Sequence, residues 1–299
     1  MTADQRQSVA PSQDCLTPAQ IEEKAEKAGI AKANMPTLPC FLLSIAAGAF
    51  IGLGGMYFTI VISDPDLSFA TQKVVGGLAF CLGLALVLIA GAELFTGNAL
   101  MVISRVAGQI STGQMIRNWT TVWLGNLVGA LGLIFLAYMA KVYAMGDGAI
   151  AATMLKIAVG KVTLDPTTLF FKAILCNLMV CLAVWLGYAG RSVTDKIVAI
   201  LLPISGFVAA GFEHCVANMY FLPFALLLKW TGHVPAGLDV SALTTGGVIY
   251  NIVIATLGNI IGGGVFVGLL YWLIYRVGFG KPASILAGPL RETSAPGAE

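Results

Sequence analysis

GAELFTGN at 91–98 and GFEHCVAN at 211–218 decide how this chain folds. Each interrupts an apolar run, and the two share the pattern G-x-E-x-x-x-x-N. A carboxylate and a broken backbone at membrane depth cannot face lipid. Both must be buried in protein or line a watery cavity. Working outward, the next apolar span after each interruption carries a second matching motif, WLGNLVGA (123–130) and TLGNIIGG (256–263). Each half therefore reads as an intact helix, a broken helix with G-x-E, and a helix with L-G-N. Three spans per half is an odd number, so the halves run in opposite senses. That is the inverted-repeat arrangement of transporters and channels, with the site between the two broken helices near the midplane. The small residues of the L-G-N motifs, and the glycines at 262–264, read first as close-packing positions of membrane helices.

The composition supports the same class. Of 299 residues, 58% are hydrophobic and only 11% charged, and the mean hydropathy is +0.86. A soluble domain carries about 25% charged residues, so a soluble globule and a disordered chain are both excluded. Apolar spans fall at 41–63, 74–91, 120–140, 168–188, 197–228 and 246–275, the second and fifth interrupted. The expected fold is an all-α integral membrane protein of six transmembrane helices in two inverted three-helix repeats. Residues 1–37 are polar, with a short helix over 21–33 lying on the membrane or on a neighbour, and contain no cleavable signal peptide. Residues 38–276 form the channel domain and 277–299 a tail. With a cytoplasmic N-terminus, eleven lysines and arginines fall inside and five outside (Lys73, Lys141, Lys156, Lys161 and Lys229). That bias puts both termini in the cytoplasm. A net charge of +2 implies no nucleic-acid partner, and the six scattered cysteines read as small buried hydrophobes.

Glu93 and Glu213 occupy matching positions. Because both repeats carry one, the structural reading is preferred: each carboxylate accepts hydrogen bonds from the freed amides of its own broken helix. Asn98 and Asn218 belong to the same breaks. Proton or cation binding by the two glutamates is the competing reading. His214 is different, because the first repeat has Leu94 there. An imidazole titrating near pH ~6.5 passes protons or donates to an anion, whereas His233 lies in a polar outer loop. Thr96 in the opposing break supplies a hydroxyl, and Asn177 a further polar group facing the cavity. Lys161, with Lys156 and Lys172, raises the local anion concentration at an outer mouth. There is no metal-ligand spacing and no nucleotide loop, and no cofactor is implied. Ser205 and Cys215 near His214 lack a third group to orient them, so transport without covalent chemistry is expected rather than an enzyme.

GAELFTGN, LCNLMVCLAVW (175–185), GFEHCVANM (211–219) and LGNIIGGG (257–264) together resemble the formate–nitrite transporter family over residues 38–276. The resemblance implies a homopentamer in a lipid bilayer, each subunit with its own pore and aquaporin-like broken helices. It implies that His214 is the central pore histidine, Thr96 its neighbour, Asn177 and Asn259 pore asparagines, and Lys161 the vestibule lysine. Phe80, Leu84, Leu94, Phe95, Val180 and Phe207 correspond to positions lining narrow apolar constrictions. The family moves formate, nitrite, hydrosulfide or lactate-like monocarboxylates. GRSVTDK (190–196) and EKAGIAKA (26–33) resemble formate channels, whereas LFTGN and FFKAILCN are closer to nitrite or generic members. The expectation is pH-dependent passage of formate through His214, with nitrite or hydrosulfide as alternatives. The expected location is the plasma membrane, the inner membrane in a Gram-negative cell. A neutral-solute channel of aquaporin type would want paired Asn-Pro-Ala motifs, which the chain lacks.

Overall fold

A computed structural model describes residues 15–278, and all regular structure in that range is helical. Residues 1–14 and 279–299, which hold most of the expected tail, lie outside the described residues. Helix α1 (Pro18–Asn34) starts at a capping box between Thr17 and Gln20, with Pro18 in its first turn. It lies on a neighbour: the Ser104 hydroxyl donates to Glu26 O (2.8 Å), and Lys24 Nζ to Tyr188 O (2.8 Å). Then come α2 (Thr37–Ile62), α3 (Phe69–Gly91), the half-helix α4 (95–106) and α5 (Thr112–Met139).

The second half repeats the order. A short helix α6 (Ala149–Val162) precedes α7 (Pro166–Ala189), α8 (Val193–Ala209), the half-helix α9 (Cys215–Trp230) and α10 (Thr245–Val277). Five helices are long and apolar enough to cross a membrane by length and composition (α2, α3, α5, α7 and α10). The remaining crossing is divided between α8 and α9. Helix α6 occupies what reads from sequence as an outer loop. Its 14 residues are too few to span, but Ile150, Ala151, Met154, Leu155 and Ala158 form a buried helical stripe. It is the second half's counterpart of α1.

Both interruptions are built alike. Gly91 and Gly211 adopt φ of +84° and +67°, a conformation that side-chain-bearing residues reach only at a cost. This accounts for the glycine of each G-x-E. The glycines of the L-G-N spans let backbones touch. A Cβ on Gly129 would fall 1.9 Å from Ile45 O, and one on Gly262 2.2 Å from Ile174 O. Without a hydrophobic drive between helices in lipid, such close approach is what holds α2 to α5 and α7 to α10.

Candidate functional site

Freed amides at the breaks are satisfied first. Asn126 of α5 accepts from Phe95 N through Oδ1 (2.9 Å) and donates to Ser44 O (2.8 Å) and Glu93 O (2.9 Å). Asn259 of α10 does the same work in the second half. It accepts from Cys215 N (2.9 Å) and donates to Ala173 O (2.7 Å) and Glu213 O (2.9 Å). The asparagine of each L-G-N is thus a pin that holds a broken helix open. Asn259, assigned to the pore by resemblance, has both donors and its acceptor committed to backbone and is fully buried.

The sequence reading expects the glutamates to accept from the freed amides of their own breaks, but Asn126 takes Phe95 N, Asn259 takes Cys215 N and His214 Nδ1 takes Ala217 N. Glu93 instead accepts from Lys32 Nζ at Oε1 (2.6 Å) and from Asn98 Nδ2 at Oε2 (2.8 Å). Asn98 also donates to Asn118 Oδ1 (2.9 Å), and Asn118 donates to the Lys32 carbonyl (3.2 Å). Glu213 accepts from Lys161 (2.9 Å) and Asn218 (2.7 Å). Asn218 donates to Asn251 (2.7 Å), which donates to the Lys161 carbonyl (3.0 Å). Each half therefore closes a ring of lysine, glutamate and two asparagines, the lysine coming from the end of α1 or α6. Physically, a buried carboxylate is tolerable only when paired and hydrogen-bonded. Asn118 and Asn251 are not anticipated from the sequence, and Lys32 enters there only as one of the inner positive charges. The signal was an N-x7-N spacing shared by 118/126 and 251/259.

His214 caps α9 and stands where the breaks meet. Its Nδ1 accepts from Ala217 N (3.0 Å), and its Nε2 lies 3.0 Å from Thr96 Oγ1 of α4. An Nδ1 that accepts from an amide carries no hydrogen, so in the neutral ring the hydrogen is on Nε2 and is donated to Thr96. The Thr96 hydroxyl hydrogen is then left for another acceptor. The N-terminal, partially positive ends of α4 and α9 converge on this pair.

His214 lines a cavity of about 320 Å³. Phe80 and Phe207 line it beside the histidine: their rings meet edge to face at 5.7 Å, and Phe207 stacks on His214 at 5.9 Å. Lys73, Lys156, Lys161 and Lys172 line it, against a single acid, Glu213. Since Lys161 is paired with Glu213, the uncompensated charge comes from the other three lysines.

The remaining assignments are distributed. Leu84, Leu94 and Val180 are buried and lie outside the lining of this cavity. Phe95 packs edge-on to Trp119 at 6.3 Å, whose indole donates to Asn98 O (2.9 Å), so that ring anchors α4. Asn177 links the halves: its Nδ2 donates to Thr96 O (3.1 Å) and Asn259 O (2.6 Å). Among the described residues, no group of three or more histidine, cysteine or acidic side chains could hold a metal ion.

Comparison with known proteins gives a consistent picture. Residues 19–273 match the family model described as "Formate/nitrite transporter". The chain is 41% identical over 271 residues to the formate channel FocA of Escherichia coli, covering 88% of this chain and 95% of that one. It is 40% identical over 247 residues to the nitrite transporter NirC of Salmonella typhimurium, covering 80% and 84%. Among solved structures, a pentameric formate channel with formate bound superposes with a TM-score of 0.75 at 39% identity, covering 80% of this chain and 97% of that one.

Proposed function

The chain belongs to the formate/nitrite transporter family, and on that premise we propose that it is a pentameric membrane channel for small monovalent anions, with formate as its principal substrate. The observation that carries this reading is the vestibule with four lysines against one acid, lined also by His214, whose Nε2 meets Thr96. Both termini are assigned to the cytoplasm, with 1–37 as an inner segment, 38–276 as the channel and 277–299 as an inner tail. The membrane is the plasma membrane, the inner one in a Gram-negative cell.

The route follows from the chemistry. Lys73, Lys156 and Lys172 draw an anion into the vestibule, and the Phe80–Phe207 pair strips its water. Leu84, Leu94 and Val180 continue the apolar path, which disfavours a bare charge. At the midplane the Thr96 hydroxyl donates to the anion while accepting from His214 Nε2–H, and Asn177 fixes the Thr96 backbone. Neutralisation of formate requires a proton on both His214 nitrogens. The one on Nδ1 must displace the Ala217 amide; the Nε2 proton then passes by way of Thr96 to the carboxylate. Passage as the neutral acid is thereby tied to the cap of α9. Glu93 and Glu213 are each neutralised by a lysine, which argues against a cation path through them.

Nitrite is the second reading, because similarity to the nitrite transporter, at 40%, nearly equals that to the formate channel. The decisive experiment is uptake into protein-containing liposomes of formate, nitrite, hydrosulfide and glycerol, at about pH 5.5 and about pH 7.5, either side of an ordinary histidine. Formate flux that changes with pH is expected. Glycerol flux without anion flux would overturn the reading, and nitrite flux far above formate would reverse the order of substrates.

A further inference from the structure

Asn177 and Cys181 stand one turn apart on α7 and address the same atom. Asn177 Nδ2 lies 3.1 Å and Cys181 Sγ 3.3 Å from the Thr96 carbonyl. All three residues are fully buried. The Asn177 donors serve Thr96 and Asn259, and its Oδ1 has no protein partner. Facing them on α10 is Gly263. A Cβ there would fall 2.5 Å from both Asn177 Nδ2 and Cys181 Sγ, and 2.8 Å from Ala99 Cβ of α4.

The first half contains no such bracket. Asn126 donates to Ser44 O where Asn259 donates to Ala173 O. The same register pairs Gly48 with Asn177, Gly52 with Cys181 and Ala130 with Gly263. The first break is held without these groups, so holding a break open does not require them. What they hold instead is the residue that meets His214.

We propose that Cys181 and Gly263 are positioning residues for the Thr96–His214 pair. The Cys181 thiol donates to the Thr96 carbonyl and fixes where the Thr96 hydroxyl sits, and the missing side chain at 263 leaves room for thiol and amide to reach it. The thiol is uncharged and adds geometry rather than field. Its effect is on the alignment of a relay, for which small displacements are costly. This inference rests on the reading that the Thr96–His214 pair lies on the anion path.

The test uses the full chain in liposomes with Cys181→Ala, Cys181→Ser and Gly263→Ala. Formate and nitrite flux are measured across pH, and assembly is followed by size exclusion. Cys181→Ala is expected to lower formate flux about three- to tenfold, the equivalent of one modest hydrogen bond. It should also displace the pH profile and alter the formate-to-nitrite ratio. Cys181→Ser keeps a donor and should restore all three, and Gly263→Ala should cost more flux than Cys181→Ala. A wild-type profile, flux and ratio in Cys181→Ala would overturn the proposal, whether or not Gly263→Ala assembles. An infrared difference between wild type and Cys181→Ser isolates the S–H stretch of Cys181. A hydrogen-bonded frequency that moves with added formate is expected, and the frequency of an unbonded thiol would sink the idea. That band tests the bracket even if the wild type moves no anion, an outcome that would overturn the transport reading instead.

Discussion

The break after Gly91 and the break after Gly211 have one frame and different contents. Glycine with positive φ, a lysine-paired glutamate, two ring asparagines and a pinning asparagine recur in both. Within that frame Leu94 faces His214 in register, Thr96 faces Val216, Gly48 faces Asn177 and Gly52 faces Cys181. The difference separates two kinds of work. Groups that satisfy backbone and buried charge are needed wherever a helix is broken, so they occur twice. Groups that handle a ligand under the proposed function are needed once, where the halves meet.

The comparison breaks most visibly at the buried ion pairs. Glu93→Ala and Glu213→Ala each strand a lysine that is mostly buried, at an expected cost of about 3–5 kcal/mol. Thermal melting and monodisperse yield should fall together for both. If one variant lost transport at full stability, its glutamate would belong with the ligand groups. Asn126→Ala and Asn259→Ala are of comparable size, because each takes a partner from three buried backbone groups at about 1–3 kcal/mol for any group left unpaired. Matching losses in melting temperature would show that Asn259 is a pin like Asn126. A loss of flux confined to Asn259→Ala would return it to the pore.

His214→Asn sharpens the comparison from the other side. Asparagine is a good cap for α9, so the melting temperature should hardly move. Flux should fall at least about tenfold, about 1.4 kcal/mol at the midplane, and lose its dependence on pH. Unchanged flux and pH profile would remove the histidine from the path. The smallest effect belongs to Lys156→Ala. Formate flux should drop about twofold at low ionic strength and recover in high salt, because the contribution is a screened field. A salt-independent loss would mean a direct contact instead.

Much of this was legible because the breaks are chemically improbable. A carboxylate in an apolar run needs a reason, and two of them in one pattern reveal the repeat. His214 could be singled out because it departs from that pattern, and Thr96 because it supplies a hydroxyl in the opposing break. Lys32 and Lys161 could not be matched to their glutamates, since each sits in a short helix remote in sequence from its partner. An amphipathic segment such as Ala149–Val162 carries no sign of which break it serves. Asn126 was hidden, and so was the pinning role of Asn259, which the family resemblance assigns to the pore: among glycines, an asparagine in a membrane helix looks like a packing residue until its three partners are seen.

Local chemistry alone determines the span count, the positions of the interruptions and the oddity of His214, because hydropathy and the cost of buried charge act on short stretches of chain. Only the tertiary structure decides which lysine neutralises which glutamate, which nitrogen of His214 faces Thr96, and that Cys181 reaches the Thr96 carbonyl. Those are hydrogen bonds between residues tens of positions apart, and their geometry exists only once the two halves have been folded against each other.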